Sequence, residues 1–228
     1  MNYENYATWK GWLQEIPFGS LSEVEEKKFE LQMNKVGVNY QNIKVLDIGF
    51  GNGSFMSFIK KNNSKIEGVE IQKALLEEAK NKGITVYESL AEIKEGSFDL
   101  IVAFDVLEHL TVEQLKELFI NCKNLIKENG VMLFRFPNAD SFLGMSAQNG
   151  DFTHITAIGK QKLHQIITPI GLQIHSFQSA IIYPRGKINL IIKTIAQYIL
   201  MKLMDVGNSY FFGGDVIAIV KNKNYTAP

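Results

Sequence analysis

Asp47-Ile-Gly49-Phe-Gly51-Asn-Gly53 sets three glycines at alternate positions, between an apolar run at Lys44–Ile48 and a segment of helical character at Ser54–Lys61. Glycines so spaced let a backbone turn tightly and approach a ligand with no Cβ in the way. The helix that follows offers N–H groups at its start. Asp47, two residues before the first glycine, can accept from an ammonium or from loop N–H groups. Glu70 ends the next apolar run, 17 residues after Gly53, where a carboxylate can hold both hydroxyls of a ribose. The plain alternatives are a glycine-rich turn and a solvated charge at a strand end. A nicotinamide-type site shares the ribose carboxylate, but its G-x-G-x-x-G spacing counted from Gly49 puts the third glycine on Ser54. The register therefore favours a different adenosine cofactor.

A second set of residues can move protons. Of the four histidines, His154 lies in a polar loop with Asp151 and Thr153 placed to orient it. His109 lies just past the apolar run Phe98–Phe104, at the carboxyl edge where parallel sheets bind ligands. Imidazole titrates near neutral pH and suits a general base. We rank His154 first, with Asp151 as its partner, and His109 second; a backbone hydrogen bond shaping the pocket is the other reading of His109. His164 and His175 fall in a predicted helix and strand and are read as structural. Asn138 and Asp140 either bind a polar acceptor or form an ordinary Pro-Asn turn. No metal ligands are assigned, and the single Cys122 excludes a multi-thiolate zinc site and an internal disulfide framework.

The elements that must position these residues alternate. Strands are predicted at 44–49, 65–70, 84–87, 98–104 and 131–136, with helices at 20–36, 54–61, 72–82 and 111–127. Ser20 or Ser22 caps the first helix, Thr111 caps the fourth, and Asn129-Gly130 ends it. A loop over 137–158, a helix at 159–168, a strand at 172–177 and a final strand at 216–220 follow, the last at the sheet edge or beside the sixth strand. Such alternation predicts an α/β fold: a Rossmann-like three-layer sandwich on a mostly parallel seven-stranded sheet with an antiparallel terminal strand. The 228 residues suffice for one large domain. Lys plus Arg equals Asp plus Glu at 24 each, which gives no long-range pull toward nucleic acid, so none is expected as a partner. MNYENYATWKGW has no secretory-signal pattern and no run is long and apolar enough to span a bilayer, so the expected location is cytoplasmic.

VLDIGFGNGSF followed by IEGVE, then FDLIVAFDVLEHL, then LIKENGVMLFRFPN, resembles in that order the motifs of class I S-adenosylmethionine-dependent methyltransferases, over about residues 43–174. The resemblance implies that Asp47, Gly49, Phe50, Gly51 and Gly53 line the methionine part of S-adenosylmethionine. It places Glu70 and Ile71 at the ribose, Ser89 and Leu90 at the adenine, and Phe104 and Asp105 at the methionine amino end. Members of the family commonly carry an Asp where Ser89 stands. Arg135-Phe-Pro137-Asn138-Ala-Asp140, with Gly150-Asp151-Phe-Thr153-His154, resembles methyltransferases of bacterial surface-polysaccharide biosynthesis, which implies O-methylation of a sugar or sugar nucleotide. The alternatives are a small amine, phosphate-ester or quinone-like acceptor, or a partner protein that binds S-adenosylmethionine without turnover.

Residues 1–40 are read as an N-terminal helical cap and 41–228 as the methyltransferase domain, with 137–160 and 180–212 as substrate-covering or interface additions. Tyr3, Tyr6, Trp9 and Trp12 either close an aromatic lid or pack on the core. Ile188, Ile191, Ile192, Ile195, Ile199 and Leu203 form one stripe of a predicted helix over 187–205. So apolar a helix belongs in a homodimer contact, against the substrate-covering part, or on a membrane surface as a peripheral contact.

Overall fold

The computed structural model describes residues 16–94, 98–181, 195–196, 198–199, 202–203 and 213–223. Strand β1 (Lys44–Ile48) lies near the middle of a seven-stranded sheet of order β3-β2-β1-β4-β5-β7-β6. Here β2 is Lys65–Val69, β3 Thr85–Tyr87, β4 Phe98–Phe104, β5 Ile126–Pro137, β6 Leu172–Ser179 and β7 Asp215–Asn222. The first five strands pair in parallel, and β7 pairs antiparallel with both β5 and β6. The chain winds outward from β1 through β2 to β3, then crosses to β4 on the other side. That reversal opens a crevice beyond the carboxyl ends of β1 and β4, the usual ligand position in such sheets.

Helices α1 (Glu23–Val36), α2 (Ser54–Lys61) and α3 (Lys73–Asn81) cover one face. Their core contains Phe55, Phe58, Met56 and Leu76 packed on Val45, Leu100 and Val102. Helices α4 (Val112–Leu125) and α6 (Lys160–Ile167) cover the other, where Phe119, Leu115 and Leu163 meet Leu46, Ile101 and Phe134. Strand β4 feeds both cores by alternation, which is why FDLIVAF reads as almost unbroken apolar sequence.

Ser22 and Thr111 each close a capping box, with Glu25 and Gln114 reaching back to the cap backbone. Two expectations need correction. Asn129-Gly130 does not end α4: the helix stops at Leu125, and β5 begins at Ile126 with a bulge opposite Phe98–Leu100. Gly130 serves that bulge, since a Cβ there would lie 2.5 Å from Ile126 Cγ1. The loop expected over 137–158 contains a helix, α5 (Phe142–Gly150), capped by Ser141 Oγ, which accepts from Leu143 N–H. Its FLGMSAQNG sequence carries two glycines, which disfavour a helix, and Gly144 permits close approach to Asn138, whose carbonyl oxygen a Cβ would meet at 2.1 Å. The last strand takes the second of its two expected places, beside the sixth: β7 lies between β5 and β6, as befits a run buried from Val216 to Val220.

The aromatic residues of the first twelve positions and most of 187–205 lie outside the described residues. Of the apolar stripe, Ile195, Ile199 and Leu203 are helical and exposed. Among the described residues no helix is long and apolar enough to cross a membrane.

Candidate active site

The glycine loop leaves β1 with its backbone in the left-handed region at Gly49 (φ 69°) and Gly53 (φ 77°), where any side chain is strained. Space is as restrictive as conformation. A Cβ on Gly49 would lie 2.5 Å from Val106 Cγ2, and one on Gly53 would lie 2.5 Å from the Phe18 ring. Glu70, at the end of β2, braces this loop: its carboxylate accepts from Gly51 N–H (3.2 Å), Ile71 N–H (2.8 Å) and Gln72 N–H (3.1 Å).

Asp47 is 2% exposed, and its Oδ2 has no hydrogen-bond partner. Burial, reinforced by the neighbouring Glu70 charge, raises its carboxyl from 3.8 to about 8, against the opposing pull of Arg135. Burial also raises the Glu70 carboxyl, while its three N–H donors pull the other way. A buried, orphaned carboxylate at the head of a crevice fits a cationic ligand group, because an ammonium there supplies both the missing hydrogen bond and the compensating charge.

The crevice is a cleft of about 820 Å³. Asp47, Gly49, Phe50, Gly51, Glu70, Ile71, Ser89, Leu90, Phe104 and Asp105 all line it. Gly53 lies just behind as the N-cap of α2. Ser89 caps a short turn, with its Oγ accepting from Ala91 N–H and its own N–H given to Glu92. The adjacent Glu88, an acidic wall residue overlooked in the sequence, lines the same end.

Arg135 and Phe29 were also missed as site residues. Arg135 comes from β5, makes a two-pronged ion pair with Asp105, and lies 4.8 Å over the Phe104 ring. Asp105 has positive φ (59°) and donates its N–H to Arg135 O. Phe29 of α1 joins Phe55 and Phe104 in an aromatic wall. Their spacing carries no local signal, since each enters from a different element.

His109 lines the other wall, and Glu108 and His154 cluster with it. The loop after α5 is stitched to the turn after β4: Ile155 and Thr156 N–H donate to Glu108 O, and Thr156 Oγ1 donates to Leu110 O. This brings the two imidazoles edge to face, 4.6 Å between centroids. His109 lines the cleft, with His154 packed on it. Asp151 serves both histidines: Thr153 Oγ1 donates to its Oδ1 (2.5 Å) and accepts from His109 Nδ1 (3.0 Å), while His154 N–H donates to its carbonyl oxygen (3.1 Å). His154 gives its Nδ1 proton to Ala147 O (3.2 Å), and its Nε2 stands 3.8 Å from Asp151 Oδ2. Glu108 is 1% exposed, and burial, with Asp105 nearby, raises its carboxyl to about 8.

His164 and His175 are exposed. Asn138 and Asp140 do not line the cleft and serve as internal staples. Asn138 donates to Gly213 O and accepts from Asp140 N–H, while Asp140 accepts from Lys160 N–H.

Residues 23–176 match a family described as a methyltransferase domain. The chain belongs to that family. Among curated relatives, the ubiquinone biosynthesis O-methyltransferase of Nitrosococcus oceani is 27% identical over 176 residues, covering 71% of this chain and 72% of that protein. The phosphoethanolamine N-methyltransferase of Plasmodium falciparum is 28% identical, covering 52% of this chain and 46% of that one. A solved S-adenosylmethionine-dependent methyltransferase from Archaeoglobus fulgidus has the same fold, with TM-score 0.66 at 19% identity over 86% of this chain and 94% of that one. The magnesium protoporphyrin IX methyltransferase of Synechocystis, solved with bound S-adenosylhomocysteine, aligns with TM-score 0.60 at 15% identity over 96% and 95%. This class I methyltransferase uses S-adenosylmethionine.

Proposed function

We propose that the methyltransferase transfers its methyl group to a hydroxyl oxygen of a small acceptor, and that a ring hydroxyl of quinol type is the first acceptor to test. The Glu108–His109–His154 cluster beside the cleft carries this reading. An alcohol or phenol is a weak nucleophile until its proton leaves, whereas a neutral amine needs no such help. S-adenosylmethionine supplies the activated methyl; the chain aligns the acceptor and eases the loss of its proton.

In this reading Asp47 holds the cofactor ammonium, the Gly49–Gly53 loop with Phe50 runs along the methionine portion, and Glu70 and Ile71 take the ribose. Ser89 and Leu90 flank the adenine, with Glu88 as an acceptor for its amino group. Phe104 and Asp105 close the methionine end. The aromatic wall of Phe29, Phe55 and Phe104 and the O-methyltransferase among the relatives support a flat, hydroxylated acceptor. A sugar or sugar nucleotide is the second acceptor. Its sequence support included Asn138 and Asp140, which the fold uses internally.

Incubation with methyl-labelled S-adenosylmethionine and a panel of catechols, nucleotide sugars, ethanolamine phosphate and amines tests this. Label on an oxygen of a catechol or sugar is expected. Label on amine nitrogen alone, or no transfer by protein that binds the cofactor, would refute O-methylation. His154→Ala should lower turnover by about 100-fold or more while cofactor affinity holds.

A further inference from the structure

We propose that Glu108, His109 and His154 bind a divalent first-row cation at the wall of the cleft. One ligating atom from each lies within 4.8 Å of the other two. Two imidazoles and a carboxylate form a donor set that suits zinc, manganese or iron(II) better than magnesium or calcium.

Three observations distinguish this cluster from an ordinary buried hydrogen-bond group. First, both rings are held as metal-binding histidines are held. His109 Nδ1 donates to Thr153 O and Oγ1, and His154 Nδ1 donates to Ala147 O, so in each ring the lone pair is on Nε2. A ligating histidine typically gives its other N–H to a carbonyl or carboxylate in this way. Second, Glu108 is 1% exposed yet its Oε2 has no hydrogen-bond partner, a costly state for a carboxylate unless something cationic meets it. Third, the groups stand apart by an ion's width. Glu108 Oε1 is 3.9 Å from His154 Nε2, too far for a hydrogen bond, whereas two ligand atoms each about 2.1 Å from a shared ion lie about 3–4 Å apart. Asp151 Oδ2, 3.8 Å from the same nitrogen, is a further oxygen at the rim. His109 opens the cluster to the cleft, which provides the entry path.

Its role rests on the O-methylation reading above. An acceptor hydroxyl bound to the cation has a lowered pKa and loses its proton to water in the cleft. The oxygen lone pair then forms the O–CH3 bond as the S–CH3 bond breaks, and that electron pair returns to sulfur, giving neutral S-adenosylhomocysteine.

The test uses full-length protein stripped with chelator at pH 7.5, titrated with Mn2+ by electron paramagnetic resonance and, separately, with S-adenosylhomocysteine by calorimetry. One Mn2+ site is expected. Glu108→Gln and His154→Asn should each weaken it at least about tenfold, and Thr153→Val, which removes the Oγ1 support of His109, by about tenfold. The homocysteine-containing ligand should bind all of them as it binds the parent. If Glu108→Gln does not fold, His154→Asn and Thr153→Val carry the comparison. Folded protein that binds S-adenosylhomocysteine but neither Mn2+ nor Zn2+, or variants that bind Mn2+ as the parent does, would overturn the cation site. Loss of S-adenosylhomocysteine binding with Mn2+ binding intact would instead refute the cofactor assignment and uphold the cation site.

Discussion

Asp47→Asn separates what the buried carboxyl costs the fold from what it contributes to binding. Without cofactor the Asp47 carboxyl is raised to about 8 from an ordinary 3.8. The folded state therefore holds a proton that the unfolded state releases, so stability falls as pH rises between those values. At about 1.4 kcal/mol per pKa unit, the ionised form at pH 9 costs roughly 6 kcal/mol relative to pH 3. The asparagine variant removes this group's share. Denaturant unfolding from pH 5 to 9 should show a shallower decline than in the parent, and the variant should be the more stable protein at pH 8.5. Binding reverses the preference, because an ammonium beside Oδ2 favours the carboxylate. At pH 7 the parent should release about 0.9 proton on taking up S-adenosylhomocysteine, measured by calorimetry in buffers of different ionisation enthalpy. The variant should release none from this site and bind at least about tenfold more weakly. Equal affinity and equal proton release in the two proteins would refute the reasoning.

Other substitutions probe separate links. Gly49→Ala forces a Cβ into the left-handed region and against Val106; unfolding should show a loss of about 1–3 kcal/mol, with weaker cofactor binding. Thr111→Ala removes the cap of α4 and should cost about 1 kcal/mol in the same measurement. Arg135→Met leaves Asp105 without its two-pronged partner and should cost about 1–3 kcal/mol at pH 7. His164→Ala, at an exposed site, should lie within about 0.5 kcal/mol of the parent and keep full turnover.

The order of elements was readable because the central strands β1, β4 and β7 carry apolar sequence buried on both faces and the two long helices carry strong caps, at Ser22 and Thr111. Helix α5 was not readable: its signal is the fit of Gly144 against Asn138, a tertiary contact with no periodicity. The cofactor crevice was legible in outline because Asp47, the glycines and Glu70 sit at ends of consecutive elements. The opposite wall was only half legible. Both histidines could be chosen by residue type and position, but their meeting depends on Glu108 O binding two N–H groups of the 151–156 loop. No sequence spacing encodes that link. For the same reason the link from Asp151 through Thr153 to His109 was not foreseen, and Glu108 was read as part of a motif and not as a buried acid facing two imidazoles.

A crystal structure with S-adenosylhomocysteine would test the cofactor assignment most directly. Its amino group should lie within about 3.2 Å of Asp47 Oδ2, its ribose hydroxyls on Glu70, and its sulfur toward His109. Density for the ligand elsewhere, or a crevice between β1 and β4 filled by side chains, would contradict that placement.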